Sequence, residues 1–378
     1  MDLIWRLGKN IILIGGSLDE LNLPSEEVCF IRSDSFCVSF VKLLEPTDIT
    51  GNIQIVNSDK ARKYYSIFLN TMASIVKGFD AKIVKNVSDG LICYFPKTSD
   101  PRDDAAFFDV IGFGVTAMAA RHNINTIMHE ERIPASINYR ISIDYGNVEV
   151  AETVASGGAE DLFGSAMNLC AKINTKATIN GLVMGHNLYQ ILKRLLSDSR
   201  LFSYGKYYDL RQIGEYIWKD GDNHQDHISY PIYSMIANKD RNKDYFANQR
   251  LGLEQKATYN IMIVDDEEDI LLTYNSMLHD EGYNVESFSD PHEALLHFIH
   301  ADKSHYDLVI LDIRMPNLNG LQLYHRMKTI DKDIKILFLS ALEASEEITS
   351  VFPELKYGDI IRKPISKENF VEKISTLL

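Results

Sequence analysis

The chain has 378 residues, more than one ordinary hydrophobic core accommodates, so we expect two domains. Apolar residues make up 45% and charged residues 24%, which excludes a disordered, collagen-like or membrane-spanning chain. The net charge of -14 argues against partners such as nucleic acid or an anionic membrane. We find no signal peptide, and the longest nearly apolar stretch, residues 107–120, is too short to cross a bilayer, so a cytoplasmic protein is expected.

The first half of the chain alternates strand and helix patterns in an order that predicts an α+β domain. The order β-α-β-β-α-β is the ferredoxin-like arrangement, and one more helix and one more strand extend it. The predicted elements are a strand at 37–44, a helix at 59–77, paired strands at 81–87 and 90–95, a helix at 104–121, a strand at 139–152, a helix at 161–172 and a strand at 231–236.

Two carboxylates in this half follow or join predicted strands. Asp48 comes after the first strand, and Asp89 lies at the tip of the hairpin. Adjacent strands of one sheet bring such residues together. A pair of Asp side chains and a backbone carbonyl such as that of Ile49 can hold two Mg²⁺ ions against a triphosphate.

This constellation resembles the catalytic domain of class III nucleotidyl cyclases. In that family the site forms between two subunits, so the resemblance implies a homodimer. It also implies ATP as a ligand, with Mg²⁺ or Mn²⁺. On this resemblance, Asp48, Ile49 and Asp89 hold the metal ions, Lys85 and Asp161 read adenine, and Asn168 orients the ribose.

The sequence departs from the cyclase pattern at several positions. Lys172 stands where the family has an Arg that braces the phosphates, and a point charge does not reproduce the bidentate guanidinium. Two functions therefore stay open for this domain: an adenylyl cyclase, and a non-catalytic regulator that binds a nucleotide or a partner protein. A DNA-binding output is disfavoured, because the chain has no helix-turn-helix pattern and no basic stripe.

A polar segment divides the chain. Residues 238–258 are rich in Lys, Arg, Asn and Gln without a sustained apolar period, so they are predicted to be a linker. The predicted division is an N-terminal extension at 1–33, the cyclase-like domain at 34–237, the linker, and a second domain at 259–378. This second domain has 11 Lys and Arg against 22 Asp and Glu, so it carries most of the negative charge.

The second domain alternates apolar strands with amphipathic helices, which predicts a doubly wound parallel sheet with helices on both faces. Ligands of such sheets bind at the carboxyl ends of the strands. The apolar runs are 260–264, 306–311 and 335–340, with a helix pattern over 270–278 and a further strand expected around 359–361.

Polar side chains follow these strands. Carboxylates that converge on one site repel one another unless a cation such as Mg²⁺ holds them, and a carboxylate held in this way can attack a phosphoryl group. A lysine then neutralises the transferred oxygens and a hydroxyl donates to one of them. The residues are Asp265, Asp266, Asp312, Ser340 and Lys363.

Four motifs resemble the receiver domain of two-component response regulators: VDDEED at 264–269, LDIRMPNLNG at 311–320, LS at 339–340 and KP at 363–364. The resemblance implies a (βα)5 flavodoxin-like fold, a histidine kinase as partner and Asp312 as the phospho-acceptor. It also implies that Asp266, with Asp265 beside it, and the carbonyl of Arg314 bind Mg²⁺. Ile360 occupies the place where the family has an aromatic switch residue, which leaves the mode of coupling open.

Overall fold

The computed structural model describes most of both predicted domains. It describes residues 5–7, 10–12, 28–44, 58–87, 90–153, 159–196, 207–219, 227–237, 259–302, 304–341 and 360–378. The predicted metal ligands Asp48, Ile49 and Asp89 lie outside the described residues, as do the linker and the side chain of Lys85.

The N-terminal part of the chain folds around a mostly antiparallel sheet. The first two strands form a separate antiparallel pair. The strands are β1 (Trp5–Leu7), β2 (Asn10–Ile12), β3 (Val28–Leu43), β4 (Lys82–Val87), β5 (Gly90–Phe95), β6 (Tyr139–Thr153), β7 (Ala159–Phe163), β8 (Leu182–Gly185), β9 (Tyr208–Lys219) and β10 (His227–Ala237). The helices are α1 (Ser58–Gly78), α2 (Asp104–Ala119), α3 (Arg121–Glu130), α4 (Ser165–Ile173) and α5 (His186–Leu196).

The strand order of the main sheet is β4-β5-β3-β6-β8-β10-β9, with β7 paired to β6. The first four of these strands are antiparallel neighbours. Helix α1 connects β3 to β4, and α2 with α3 connects β5 to β6. The predicted ferredoxin-like arrangement is therefore confirmed.

Successive side chains along β3 point to opposite faces of the sheet, and each face packs against its own layer of helices. Cys37 and Val41 face the core under α1 and α2, whereas Phe36, Val38 and Phe40 belong to the core on the other face, where α4 packs. This period of two is the pattern of a strand covered on both faces. It explains why both sides of the strand are apolar.

Two sequence predictions for this domain need correction. Strand β3 begins at Val28, so residues 28–33, which we assigned to the extension, lie within it. Residues 30–34 of this strand have exposed side chains, including Phe30 and Ile31, and therefore carry no burial pattern. The helix predicted at 161–172 is wrong at its start, because residues up to Phe163 form β7. Gly164 separates strand from helix with a φ of +128°, a conformation that favours glycine.

The C-terminal part folds as a five-stranded parallel sheet. Its strand order is β12-β11-β13-β14-β15, which is the flavodoxin-like order predicted from the sequence. The strands are β11 (Asn260–Val264), β12 (Asn284–Phe288), β13 (Leu308–Asp312), β14 (Lys335–Ala341) and β15 (Ile360–Lys363). The helices are α6 (Glu268–His279), α7 (Pro291–His300), α8 (Gly320–Ile330) and α9 (Lys367–Leu377).

One hydrophobic core runs through both parts of the chain. It includes Phe79 and Phe113 on the N-terminal side and Leu323 and Met327 of α8 on the C-terminal side. A second core, with Ile261 and others, packs under α6 and α9. Among the helices in the described ranges, none has both the length and the hydropathy that a bilayer-spanning helix requires.

Candidate functional site

Asp265, Asp312, Ser340 and Lys363 lie at the carboxyl ends of the parallel strands, a site that we call the strand-end pocket. Asp265 follows β11, Asp312 ends β13, and Lys363 ends β15. The Nζ atom of Lys363 donates to Asp265 Oδ2 at 2.6 Å and to Asp312 Oδ1 at 2.6 Å. Strands that are far apart in the sequence thus place one cation between two carboxylates.

Burial and pairing act against each other in this pocket. Asp265 is fully buried, and burial raises the pKa of its carboxyl although the hydrogen bond from Lys363 acts to lower it. Burial acts to lower the pKa of Lys363, but its hydrogen bonds to Asp265 and Asp312 outweigh burial and leave that pKa raised. The ammonium is thus held in its charged form between the two carboxylates.

Backbone amides fix the remaining carboxylate oxygens. The amide of Arg314 donates to Asp312 Oδ2 at 2.7 Å, and the amide of Glu267 donates to Asp265 Oδ1 at 3.0 Å. A Cβ atom at Gly320 would lie 2.1 Å from the carbonyl oxygen of Asp312, so only glycine fits at the start of α8. The orientation of the Asp312 carboxylate is therefore set by the chain around it.

The structure brings together part of the predicted metal site. Asp265 and Asp312 share Lys363, whereas the neighbouring Asp266 is exposed. Within the described residues, no three His, Cys, Asp or Glu side chains are grouped so that they could hold a metal ion. In the structure Asp266 is therefore not grouped with the other two carboxylates. The two buried carboxylates still provide the hard oxygen donors that Mg²⁺ prefers, with Asp266 beside them.

The other predicted receiver positions lie around this pocket. Ser340 is buried in β14, one residue beyond Leu339, whose carbonyl accepts the amide of Ile313 at 3.1 Å. The side chain of Arg314 is exposed. Ile360 begins β15 opposite Phe338 and packs partly buried against the core, where an aliphatic side chain fills the space.

The predicted nucleotide-binding residues of the N-terminal part are only partly described. Asp161 lies in β7 opposite Ala151, and its Oδ1 accepts the amide of Leu162 at 2.8 Å. Asn168 and Lys172 are exposed on α4, one turn apart. Lys172 Nζ lies 5.3 Å from the ring centroid of Tyr216 in β9.

One buried carboxylate in the N-terminal part was not predicted from the sequence. Asp144 in β6 is fully buried, and the hydroxyl of Tyr230 lies 2.9 and 3.0 Å from its two carboxylate oxygens. Burial raises the pKa of this carboxyl to about 7. The backbone of Gly185 is so close that a Cβ atom there would lie 2.2 Å from Asp144 Oδ1. The sequence shows only an Asp alternating with Ile in a strand.

Comparisons with known proteins cover the two parts of the chain separately. The response regulator SaeR of Staphylococcus aureus (strain USA300) is 33% identical over 119 residues, which are 32% of this chain and 50% of that protein. The transcriptional regulatory protein RprY of Bacteroides fragilis (strain YCH46) is 29% identical over 118 residues, 31% of this chain and 48% of that protein. The chain thus spans about half the length of these relatives.

The N-terminal part is similar to the crystal structure of the adenylyl cyclase CyaB from P. aeruginosa. The match has 15% sequence identity and a TM-score of 0.43, and covers 56% of this chain and 97% of that structure. The C-terminal part matches the family model of the response regulator receiver domain over residues 261–375, the residues that form the parallel sheet and the strand-end pocket. Residues 261–375 of this chain are thus similar to response regulator receiver domains in both sequence and fold.

Proposed function

We propose that the chain is a phosphorelay response regulator of the cytoplasm, in which Asp312 accepts a phosphoryl group from a histidine kinase. The observation that carries this proposal is the bridge that Lys363 makes, at 2.6 Å to each, between Asp312 and Asp265. A carboxylate beside a fixed ammonium can receive a phosphoryl group whose new negative charge is neutralised on arrival.

The transfer follows from the residues of the pocket. An oxygen of Asp312 attacks phosphorus, a P–O bond forms, and the P–N bond to the phosphohistidine imidazole breaks. The imidazole leaves with its electron pair and takes up a proton. Lys363 and the hydroxyl of Ser340 donate to the transferred oxygens, while the Arg314 amide keeps the carboxylate in orientation. Bound Mg²⁺, held by Asp265, Asp266 and Asp312, would supply further neutralising charge.

Phosphate incorporation from labelled acetyl phosphate tests the acceptor. The wild type is expected to take up label that is lost at alkaline pH, as an acyl phosphate is. Asp312→Asn is expected to take up none, whereas Asp333→Asn, which changes an exposed carboxylate of the same domain, labels like the wild type. Undiminished labelling of Asp312→Asn would contradict the assignment.

We further propose that the N-terminal domain is the output and acts as a homodimer that converts ATP to cyclic AMP with Mg²⁺ or Mn²⁺. The proposal rests on the sequence resemblance of Asp48, Asp89 and Asn168 to cyclase residues, together with the ferredoxin-like strand order. Production of cyclic AMP from ATP and Mn²⁺ tests it, with Asp48→Ala as the inactive variant and Asp59→Ala as its control.

A non-catalytic regulator is the second candidate, and one observation favours it. Lys172, at the place of the cyclase Arg, lies 5.3 Å above the ring of Tyr216 and offers a single ammonium in place of a bidentate fork. A dimeric, phosphorylated sample that binds ATP in equilibrium dialysis but makes no cyclic product would select this candidate and refute the cyclase.

A further inference from the structure

Helices α7 and α8 of the receiver domain pack against the N-terminal domain. At the centre of this contact is Arg326 of α8, which is only 1% exposed. Its Nη2 donates to Asp109 Oδ1 in α2 at 2.7 Å, and its Nε donates to the carbonyl of Gly78 at 3.0 Å. The guanidinium carbon lies 3.8 Å from the ring centroid of Phe79. One receiver side chain thus binds three groups of the other domain.

Contacts around Arg326 extend this interface along both helices. The side-chain amide of Asn123 donates to the carbonyl of Thr329 at 3.1 Å, and Lys332 Nζ lies 3.0 Å from Glu130 Oε2. Along α7, the ring of His292 lies 5.6 Å from that of Phe108. His300 stacks on Tyr207, with ring centroids 4.5 Å apart. Both ends of α7 and the C-terminal half of α8 therefore contact the N-terminal domain.

The interface is connected to the strand-end pocket by a short, fixed path. Helix α8 begins at Gly320, whose amide donates to the carbonyl of Ile313 at 3.1 Å, and a Cβ atom at Gly320 would lie 2.1 Å from the Asp312 carbonyl oxygen. Arg326 follows six residues later on the same helix. Because the start of α8 lies this close to the backbone of Asp312, we expect a displacement of that backbone to move the helix that carries Arg326.

On the other side, Arg326 contacts the place where α1 ends. Gly78 is the last residue of α1, and its carbonyl is among those that no intrahelical amide satisfies. After Phe79 the chain leads into β4, which pairs with β5, and Asp89 stands between these two strands in the sequence. A guanidinium at this helix end also interacts favourably with the helix dipole. Moving Arg326 therefore changes the support of the segment that leads to the hairpin.

We propose that α7 and α8, with Arg326 at their centre, form an intrachain latch through which phosphorylation of Asp312 acts on the N-terminal domain. The partner of this receiver surface is the chain's own α1, α2 and α3. This inference rests on the proposed phosphorylation of Asp312. It adds the route by which that event reaches the output domain, whatever chemistry the output domain performs.

Hydrogen exchange of the full chain, with and without Mg²⁺ and beryllofluoride, tests the latch. Bound fluoroberyllate is followed in parallel by its ¹⁹F resonance. In the wild type, binding of fluoroberyllate at Asp312 is expected to change the rate of amide hydrogen exchange at residues 75–81 and 106–113. In Arg326→Gln both segments are expected to exchange about tenfold faster without the ligand, and adding it changes them no further.

Two further variants keep the test decisive. Asp109→Asn removes the same ion pair from the other domain and is expected to behave like Arg326→Gln, which matters if that variant does not fold. Lys332→Gln breaks only the exposed pair at the edge of the interface and is expected to respond like the wild type.

The outcomes separate this inference from the function on which it rests. A fluoroberyllate signal in the wild type with unchanged exchange in both segments would overturn the latch and leave the phospho-acceptor proposal intact. A full response in folded Arg326→Gln would also overturn it. Absence of any bound fluoroberyllate would overturn both proposals. The wild-type measurement decides the matter even if both interface variants unfold.

Discussion

Replacing the buried Asp144 with Asn is expected to make the stability of the N-terminal domain less dependent on pH. The carboxylate is enclosed by the hydroxyl of Tyr230, the amide of Tyr145 at 2.8 Å and the backbone of Gly185. Asn has nearly the same shape and its amide oxygen can accept from Tyr230. The substitution therefore removes the titrating group while it preserves most of the packing.

The size of the effect follows from the pKa. Burial raises the pKa of Asp144 from 3.8 to about 7, so the folded protein holds this proton more tightly than the unfolded chain does. The stability that the proton contributes is complete below pH 3.8 and is lost as the pH rises through 7. At 1.36 kcal/mol per pKa unit, the wild type loses about 4 kcal/mol between pH 4 and pH 8 at this site. Asp144→Asn loses none of it.

Urea unfolding at several pH values measures this difference. Tryptophan fluorescence reports on the right domain, because both tryptophans, Trp5 and Trp218, precede the linker. The stability of Asp144→Asn relative to the wild type is expected to rise by about 4 kcal/mol from pH 4 to pH 8. The exposed control Asp59→Asn is expected to stay within about 0.5 kcal/mol of the wild type throughout. If the difference in unfolding free energy between Asp144→Asn and the wild type does not change with pH, the raised pKa of this carboxyl is refuted.

Two further predictions concern the strand-end pocket. Lys363→Gln leaves two carboxylates without their shared ammonium and is expected to destabilise the receiver domain by about 3 kcal/mol at pH 8. The loss of stability is expected to be smaller at pH 5, because burial raises the pKa of Asp265 and favours its protonation. Urea unfolding followed by circular dichroism measures this, and equal losses at pH 5 and pH 8 would contradict it. Gly320→Ala is expected to cost about 1–3 kcal/mol, because its Cβ would lie 2.1 Å from the Asp312 carbonyl oxygen. Gly78→Ala, whose Cβ would meet only a side-chain carbon at 3.8 Å, is expected to be tolerated in the same assay.

The receiver fold could be predicted from sequence because its central strands β11 and β13 are almost entirely buried. A strand such as β13, buried at every position, gives an uninterrupted apolar run, and the polar residues after it fall at the edge where ligands bind. The sequence could not tell which of two adjacent carboxylates points inward. Asp265 is fully buried and Asp266 is exposed, although both directly follow β11 in the sequence.

Asp144 escaped prediction for a related reason. In β6 the polar Ser142 and Asp144 alternate with Ile141 and Ile143, which is the pattern of a strand with one face in water. In the structure that face is covered, because Cys170 of α4 lies 3.4 Å from the Ser142 hydroxyl and Tyr230 of β10 reaches Asp144. Both covering residues are distant in sequence, so no local pattern reports them.

The latch combines two residues that are each out of place within their own domain. Asp109 interrupts the most apolar of the described helices, and Arg326 is a fully buried arginine. Each is explained by its pairing with the other, which lies 217 residues away in the sequence. Since both parts of the chain carry net negative charge, long-range attraction does not bring them together. Apolar contacts, hydrogen bonds and the buried Arg326–Asp109 pair hold them together, with one exposed ion pair at the edge. Because buried pairs are screened far less than exposed ones, we expect added salt to weaken this interface only slightly.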